Sequence, residues 1–170
     1  MEKTLKVLNE LERGGLVSRY AIGGAIAVLF HAEPVLTYDM DIYCFLPEPT
    51  GRLVTLSPIY EFLKQRGYRE DKEHVLIEGV PVQFIPAYND LVTEAVTDAG
   101  ETKFKRTRTR VVRVEHLLAI MLQTNRPKDR TRITHLLEEA KIDAQWLDEI
   151  LKRHGLGAKW REFKRLHYEH

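Results

Sequence analysis

The chain has 170 residues, of which 44% are hydrophobic and 30% charged, and its formal net charge is +1. This composition is typical of a folded globular protein with a substantial core, and it excludes a disordered or fibrous chain. A net charge so close to zero gives no overall attraction to nucleic acid or membrane, so such a partner would need a local charged patch.

The sequence carries no signal for membrane insertion or secretion. The apolar run over residues 25–30, which no other apolar run exceeds in length, is far too short to span a bilayer, and the charged first residues do not resemble a signal peptide. The single cysteine, Cys44, lies in an apolar segment and has no partner for an internal disulfide, so we expect a buried thiol. We therefore expect a cytoplasmic protein with no membrane partner.

Strand-like and helical patterns are mixed over the first two thirds of the chain. They predict, in order, a helix over 3–13, a strand over 17–22, a short enclosed helix over 25–30, a strand over about 37–46, a helix between Ser57 and Gly67, a hairpin of strands 74–78 and 80–85, a helix from Asn89 to Val96, and extended chain over 102–113.

After residue 114 the pattern is helical throughout. Four helices are predicted, over 114–124, 127–140, 143–153 and 158–167. Mixed elements followed by helices predict an α+β fold with a helical C-terminal part. We expect an α/β core over residues 1–113 and a helical subdomain over 114–170 that packs on it.

Asp39 and Asp41 are the most informative pair in the sequence. Alternation along a strand places both on one face and the apolar Met40 and Ile42 on the other. Aspartate is depleted in strands, and two neighbouring carboxylates repel, which raises the proton affinity of at least one. A bound divalent cation would remove this penalty. An exposed edge strand with solvated acids is the structural alternative, but the apolar neighbours favour the cation.

Gly23 and Gly24 stand between a predicted strand and a predicted helix. Such a turn exposes backbone N–H groups and the positive end of the helix dipole to a phosphate. A tight turn or close helix packing would explain the same glycines, and for an isolated pair that explanation is preferred. The two carboxylates on the following strand make phosphate binding worth considering.

The motif Gly23-Gly24, fourteen residues, Asp39-Met40-Asp41 resembles the signature of the DNA polymerase β-like nucleotidyltransferase superfamily. In the tail, residues 116–122, 126–130 and 142–143 resemble the helical half of minimal bacterial nucleotidyltransferases related to the AbiEii toxins. The resemblance covers residues 20–165 and implies a small mixed β-sheet core flanked by helices.

This resemblance implies transfer of a nucleotidyl group from a nucleoside triphosphate, with Mg²⁺ (or Mn²⁺) as cofactor. Asp39 and Asp41 would be catalytic metal ligands, Gly23 and Gly24 would contact phosphate, and Thr37 would be a further substrate-binding residue. The acceptor is open, with tRNA or a protein as candidates. The relation to toxins makes a cognate antitoxin or another protein partner a further candidate.

Three positions depart from the family pattern. Gln83 occupies the catalytic position where relatives have a third carboxylate, Val35 stands where they often have arginine, and Met121 where lysine is common. An amide can orient a substrate, but it cannot take up a proton or neutralise a second cation. Glu73 or Glu78 could supply the missing acid. The first alternative function is therefore a catalytically degenerate member that binds a nucleotide or a partner.

Lys128 and Asp129 open the predicted helix over 127–140 and are candidate substrate-binding residues. Lys128 could contact phosphate. Asp129 shares a helical stripe with Ile133 and Leu136, so its carboxylate should face the core. There it could offset the helix dipole, orient a basic group or contact substrate, and the sequence does not decide between these roles.

Residues 103–113 are a concentration of positive charge without acids. Arg106, Arg108 and Arg110 would share one strand face, which suits a triphosphate or an RNA backbone, so an RNA-binding module is the second alternative function. An edge strand whose charges prevent edge-to-edge pairing explains the same residues. That explanation is slightly favoured, because the interleaved threonines offer no stacking platform for bases.

Overall fold

The computed structural model describes residues 1–32, 39–47 and 55–168. Within these ranges the chain forms eight helices and seven strands. Val35 and Thr37, for which the sequence predicts an altered and a retained motif position, lie outside the described residues.

Helices and strands alternate irregularly up to residue 111. The elements are α1 (Glu2–Arg13), β1 (Arg19–Gly23), α2 (Gly24–Leu29), β2 (Met40–Phe45), α3 (Ser57–Gln65), β3 (Arg69–Asp71), β4 (His74–Ile77), β5 (Val80–Pro86), α4 (Asp90–Thr97), β6 (Gly100–Phe104) and β7 (Thr107–Val111). The rest of the described chain is helical, with α5 (Val114–Thr124), α6 (Pro127–Glu139), α7 (Ala144–Arg153) and α8 (Gly157–His167).

The seven strands form one mixed sheet in the order β3-β4-β5-β2-β1-β7-β6. β1 runs antiparallel to β2, whereas β5 runs parallel to β2 and β7 runs parallel to β1. The mixed sheet with its helical C-terminal part confirms the predicted α+β class. β2 is the central strand, which explains why a segment containing an aspartate is otherwise apolar.

The core joins both parts of the described chain. Leu5, Leu8 and Leu11 of α1 are at most 1% exposed, as expected for apolar residues on one helical stripe. α5 is buried along nearly its whole length and contacts α2, α4, α6 and α7. Helix α5 therefore connects the sheet side of the protein to the last three helices. The division into two domains at residue 113 stays a prediction.

Two details differ from the sequence prediction. The segment over 102–113 is not one extended strand but the hairpin of β6 and β7, and Arg106 lies in its turn next to Lys105, whose φ is +54°. Arg106 therefore does not share a strand face with Arg108. β7 is also an interior strand, with β6 at the sheet edge. The short edge strand β3 was not predicted; all three of its residues are exposed, so it lacks an apolar pattern.

Within the described ranges, every helix is too short or too polar to cross a lipid bilayer. Cys44 is a buried free thiol, as predicted, and burial raises its pKa to about 12.

Candidate active site

Asp41 lies in the middle of a row that crosses three adjacent strands. It pairs with Gly23 on β1 and with Gln83 on β5. Directly paired residues point to the same face of a sheet, so the three positions share one surface. The structure thus places the predicted glycine, aspartate and glutamine side by side.

The glycine pair permits two close approaches. A Cβ at Gly23 would collide with the ring of Tyr43, and a Cβ at Gly24 would lie 3.0 Å from Asp41 Cγ and closer still to Oδ2. Gly24 also has a φ of +56°, which side-chain-bearing residues rarely adopt. Gly24 is therefore needed both for the turn into α2 and to seat the Asp41 carboxylate.

The Asp41 carboxylate is half-buried beside three cations. Burial raises its pKa above the ordinary value of 3.8, whereas the charges of Arg126, Lys128 and Arg132 favour the ionised form, and Asp39 opposes it. These cations belong to the first turns of α6 and the residue before it. An acid that is desolvated and faces several cations is typical of a site that binds a charged ligand.

Asp39 is the more exposed acid of the pair. It precedes the first residue of β2, and its side chain is 58% exposed. Its Oδ2 lies 3.7 Å from Nε2 of His74, a residue of β4 whose side chain is 17% exposed. The contact crosses β5, because β5 lies between β2 and β4 in the sheet.

Asp129 is fully buried and holds Arg126. Its Oδ2 accepts hydrogen bonds from Arg126 N at 3.1 Å, Arg126 Nε at 2.8 Å and Thr124 Oγ1 at 2.8 Å. Its Oδ1 accepts from Arg126 Nη2 at 3.1 Å. Burial alone would raise the pKa of Asp129, but these bonds outweigh it and lower the pKa. Of the roles open to Asp129, the geometry favours orienting a basic group.

Two tyrosines lie near these charges. Burial raises the pKa of Tyr43, and the neighbouring charge of Asp41 adds to the effect. Tyr88, after β5, is 54% exposed, and its pKa is raised by partial burial while the charge of Arg126 opposes the shift. Tyr88 therefore offers an aromatic surface to solvent close to Arg126.

A second cluster of ionisable groups lies on α4, α5 and α7. Among the described residues, Glu94, Asp98 and His116 are the group of three potential metal ligands whose donor atoms lie within 4.8 Å of one another. Glu94 already accepts from Arg153 Nε at 2.8 Å, His116 Nε2 at 2.9 Å and His154 Nε2 at 3.1 Å. The guanidinium of Arg153 already neutralises the carboxylate of Glu94. We therefore interpret this cluster as an ionic network that holds α7 against α4 and α5.

The basic hairpin is partly engaged within the protein. Arg110 Nη1 donates to Glu12 Oε1 at 2.6 Å, and Arg113 Nε donates to the carbonyl oxygen of Asp98 at 2.8 Å. The cleft of about 700 Å³ between α1 and this hairpin is also lined by Glu12 and Glu101. These acids make the surface mixed in charge, which weakens the RNA-binding alternative.

No protein-family model and no curated protein matches the chain. Solved structures do match it. The solution structure of the antibiotic-resistance factor ANT(2'')-Ia has a TM-score of 0.53 and 16% identity, with 100% of each chain covered. A crystal structure of ANT(2'')-Ia in complex with adenylyl-2''-tobramycin has a TM-score of 0.53 and 15% identity, covering 93% of this chain and 95% of that one.

A third solved structure also matches the chain. The antigenic nucleotidyltransferase-like protein from Paracoccidioides brasiliensis has a TM-score of 0.53 and 14% identity, covering 94% of this chain and 92% of its own. The chain has a nucleotidyltransferase fold. At these identities the similarity establishes the fold alone. In this fold, Gly23, Asp41 and Gln83 lie side by side on three adjacent strands of the sheet.

Sequence reasoning missed several residues that the nucleotidyltransferase fold brings to this surface. Arg126 and Arg132 lie just before and within α6, and their residue types carry no local signal that they approach Asp41. His74 had a usable signal. The predicted turn at Glu78-Gly79 fixes the register of the β4–β5 hairpin and so places His74 beside Gln83. Glu78, proposed as a substitute acid, instead accepts a hydrogen bond from Tyr68.

Proposed function

We propose that this protein is a Mg²⁺- or Mn²⁺-dependent nucleotidyltransferase that moves a nucleotidyl group from a nucleoside triphosphate to an acceptor. The observation that carries the proposal is the position of Asp41. It lies between the glycine turn and Gln83, near three cations of α6 and the residue before that helix, on a fold shared with nucleotidyltransferases. A complex of one such neighbour with adenylyl-2''-tobramycin supports a nucleotide as the donor.

The donor set suits a hard divalent cation. Asp39 and Asp41 supply carboxylate oxygens, the ligands that Mg²⁺ and Mn²⁺ prefer. Burial raises the pKa of Asp41, so a bound cation would relieve the cost of ionising its carboxyl group. Once bound, the ion would neutralise charge on the triphosphate and polarise the phosphorus that reacts.

Basic side chains at the start of α6 suit the triphosphate itself. We assign Lys128 and the exposed side chain of Arg126 to phosphate contact, with Arg132 as a more buried neighbour. Asp129 fixes the guanidinium of Arg126 through both carboxylate oxygens, so part of the entropic cost of ordering the arginine is already met. Gly23 and Gly24 remain candidates for backbone contact with phosphate.

The reaction needs little covalent chemistry from the protein. An acceptor hydroxyl oxygen bonds to the α-phosphorus, the bond from that phosphorus to the pyrophosphate oxygen breaks, and the hydroxyl proton passes to solvent. The side chains of this site position the donor and balance its charge, which accounts for most of the catalysis of phosphoryl-type transfers. Gln83 can orient the acceptor through its amide.

Gln83 also supports the alternative of a binding protein without turnover. It pairs directly with Asp41 at the position where the resemblance predicts a third carboxylate, and a neutral amide cannot take up the proton. In that case the same surface would hold a nucleotide to attract a partner, such as a cognate antitoxin. We also propose that the protein is related to the AbiEii-type toxins and that the acceptor of the nucleotidyl group is tRNA or a protein.

Nucleotidyl transfer is the direct test. The full chain would be incubated with Mg²⁺ or Mn²⁺, each α-labelled nucleoside triphosphate, and three acceptor pools: total tRNA, the protein itself with cell extract, and small hydroxyl compounds including an aminoglycoside. We expect label transfer that Asp41→Asn abolishes. The matched control is Asp148→Asn, which removes a carboxylate from α7, outside the candidate site.

The binding alternative has its own readout. If the metal and a nonhydrolysable triphosphate raise the melting temperature of the wild-type protein but no pool is labelled, the degenerate member is supported. A melting temperature that neither the metal nor any triphosphate changes would contradict both functions. An equal rise in the Asp41→Asn variant would place the ligand elsewhere.

A further inference from the structure

His74 stands in the same row of the sheet as the candidate active site. β4 and β5 pair with Val75 opposite Val82, so one step further His74 lies beside Gln83. Gln83 in turn pairs with Asp41. The row therefore reads Gly23, Asp41, Gln83, His74 across four neighbouring strands, with all four positions on one face.

The imidazole of His74 bends over this row toward Asp39. Its Nε2 lies 3.7 Å from Asp39 Oδ2, although the two residues belong to opposite sides of β5. The His74 side chain is 17% exposed, so most of its surface is enclosed by the protein, and its Nε2 is directed to Asp39. On its other side, Nδ1 lies 3.8 Å from Glu73 Oε1.

The separation of these two atoms has a chemical meaning. At 3.7 Å, Nε2 and Oδ2 are too far apart for a hydrogen bond. Two donors that each lie about 2.1 Å from a shared metal ion can be up to about 4.2 Å apart. The observed spacing therefore fits two ligands of one cation. Among the described residues, the donor atoms of Asp39, Asp41 and His74 do not all lie within 4.8 Å of one another, so a cation shared by all three would require a side chain to turn.

We propose that His74 is a nitrogen ligand of the cation held by Asp39. His74 lies beside Gln83, whose neutral amide brings no charge to the site. The inference rests on the proposed function, whose metal site it specifies further. Mg²⁺ strongly prefers oxygen ligands, whereas imidazole nitrogen favours divalent transition ions. The site accordingly selects Mn²⁺ or a similar transition ion over Mg²⁺, and His74 determines that selectivity.

Mn²⁺ is the probe for this inference, because its electron spin reports directly bound nitrogen. The full chain would be titrated with Mn²⁺ in the presence of a nonhydrolysable nucleoside triphosphate, and the bound ion studied by electron spin-echo envelope modulation. We expect nitrogen modulation from one imidazole in the wild-type protein and its loss in His74→Gln. Mn²⁺ affinity should fall at least about tenfold in that variant, and Mg²⁺ affinity much less.

Two variants serve as controls. His135→Gln removes an imidazole of similar exposure that is paired with Glu139 on α6, and Glu73→Gln removes the acid near Nδ1 while keeping the imidazole of His74. Both should keep the nitrogen modulation. These measurements do not require turnover, so they are independent of the transfer assay.

The outcomes separate the inference from the proposed function. Mn²⁺ binding that requires Asp41 but shows no nitrogen modulation would overturn the role of His74 and leave the nucleotidyltransferase proposal standing. Modulation that persists in His74→Gln would also overturn it. Failure of the wild-type protein to bind Mn²⁺ with the triphosphate would overturn both.

Discussion

The backbone of Gly24 lies directly against the carboxylate of Asp41. A Cβ at position 24 would sit 3.0 Å from Asp41 Cγ and 3.1 Å from its Cβ. The turn into α2 and the central acid of β2 are therefore sterically coupled, so a change in one should be measurable in the other.

Gly24→Ala should disturb both stability and ligand binding. The φ of +56° strains a side chain, and the collision with Asp41 adds to this, so we expect a loss of about 3 kcal/mol in the free energy of unfolding. Gly15→Ala is the matched control, because Gly15 has a φ of +75° but open space around it, and should cost only about 1–2 kcal/mol. Urea unfolding measures both. Equal losses would show that Asp41 does not crowd Gly24.

Asp41→Asn should stabilise the protein without ligand while removing metal binding. Because burial raises the pKa of Asp41 above 3.8, its contribution to stability is full below that pH and is lost as the pH rises through the raised pKa. The ionised acid therefore destabilises the native state near neutral pH, and asparagine avoids this cost. Thermal unfolding at pH 7 should show a higher Tm for the variant. Asp39→Asn, at a more exposed site, should change Tm little, and a clear fall in Tm for Asp41→Asn would contradict the argument.

Asp129→Asn and Arg126→Gln should lower the stability of the fold by different amounts but weaken triphosphate binding by the same amount. Asp129 is fully buried, so its replacement leaves an imperfectly paired group and should cost about 3 kcal/mol of stability. Arg126 is 51% exposed, and its removal should cost much less. Both should weaken triphosphate binding about tenfold, because each loses the oriented guanidinium. Calorimetry on the two variants and the double variant should show that the binding losses do not add.

Tyr88→Ala should weaken nucleotide binding with little effect on folding. The ring is 54% exposed, and the charge of Arg126 acts on its hydroxyl group, so the ring is available to stack on a nucleobase. Loss of one such stack should cost about 1–3 kcal/mol of binding free energy. Tyr88→Phe keeps the ring and should bind nearly as well as the wild-type protein, as measured by titration with each nucleoside triphosphate. Similar losses in both variants would indicate a role for the hydroxyl instead.

Glu94→Gln should loosen α7 and change the response to acid. Burial would raise the pKa of Glu94, but hydrogen bonds from Arg153, His116 and His154 outweigh it and lower the pKa to about 2. The acid therefore stabilises the fold above pH 4.5, and this contribution is lost as the pH falls through about 2. We expect Glu94→Gln to lose about 2 kcal/mol at pH 7 and to show a flatter stability profile between pH 5 and 2. An unchanged profile would show that the network does not contribute.

His116 should add to the same acid sensitivity. Burial lowers its pKa below 6.5, and its Nδ1 is buried without a hydrogen-bond partner, which indicates a neutral ring that donates from Nε2 to Glu94. Its contribution to stability is present above pH 6.5 and is lost as the pH falls through the lowered pKa. Protection of α7 amides from hydrogen exchange should therefore decline as the pH falls below 6.5, after correction for the intrinsic exchange rate.

The sequence alone determined the elements that depend on local patterns. Helix stops at Gly14 and Gly67, the cap at Asn89 and the turn at Glu78-Gly79 are set by residue types over a few positions, and the corresponding helices and hairpin formed as predicted. Local patterns also predicted that Gly23 ends one strand and that Asp41 lies in the next. The alternation of residues along that strand predicted the face of the sheet to which Asp41 points.

Tertiary structure decided which distant residues meet. Arg126 and Asp41 are 85 positions apart in the numbering, and only the packing of α6 beside α2 brings their charges together. The role of Asp129 likewise depends on its hydrogen bonds to Arg126, because a helical stripe gives the direction of a side chain but not its partner. Long-range contacts of this kind follow from the whole sheet and core, which no local pattern encodes.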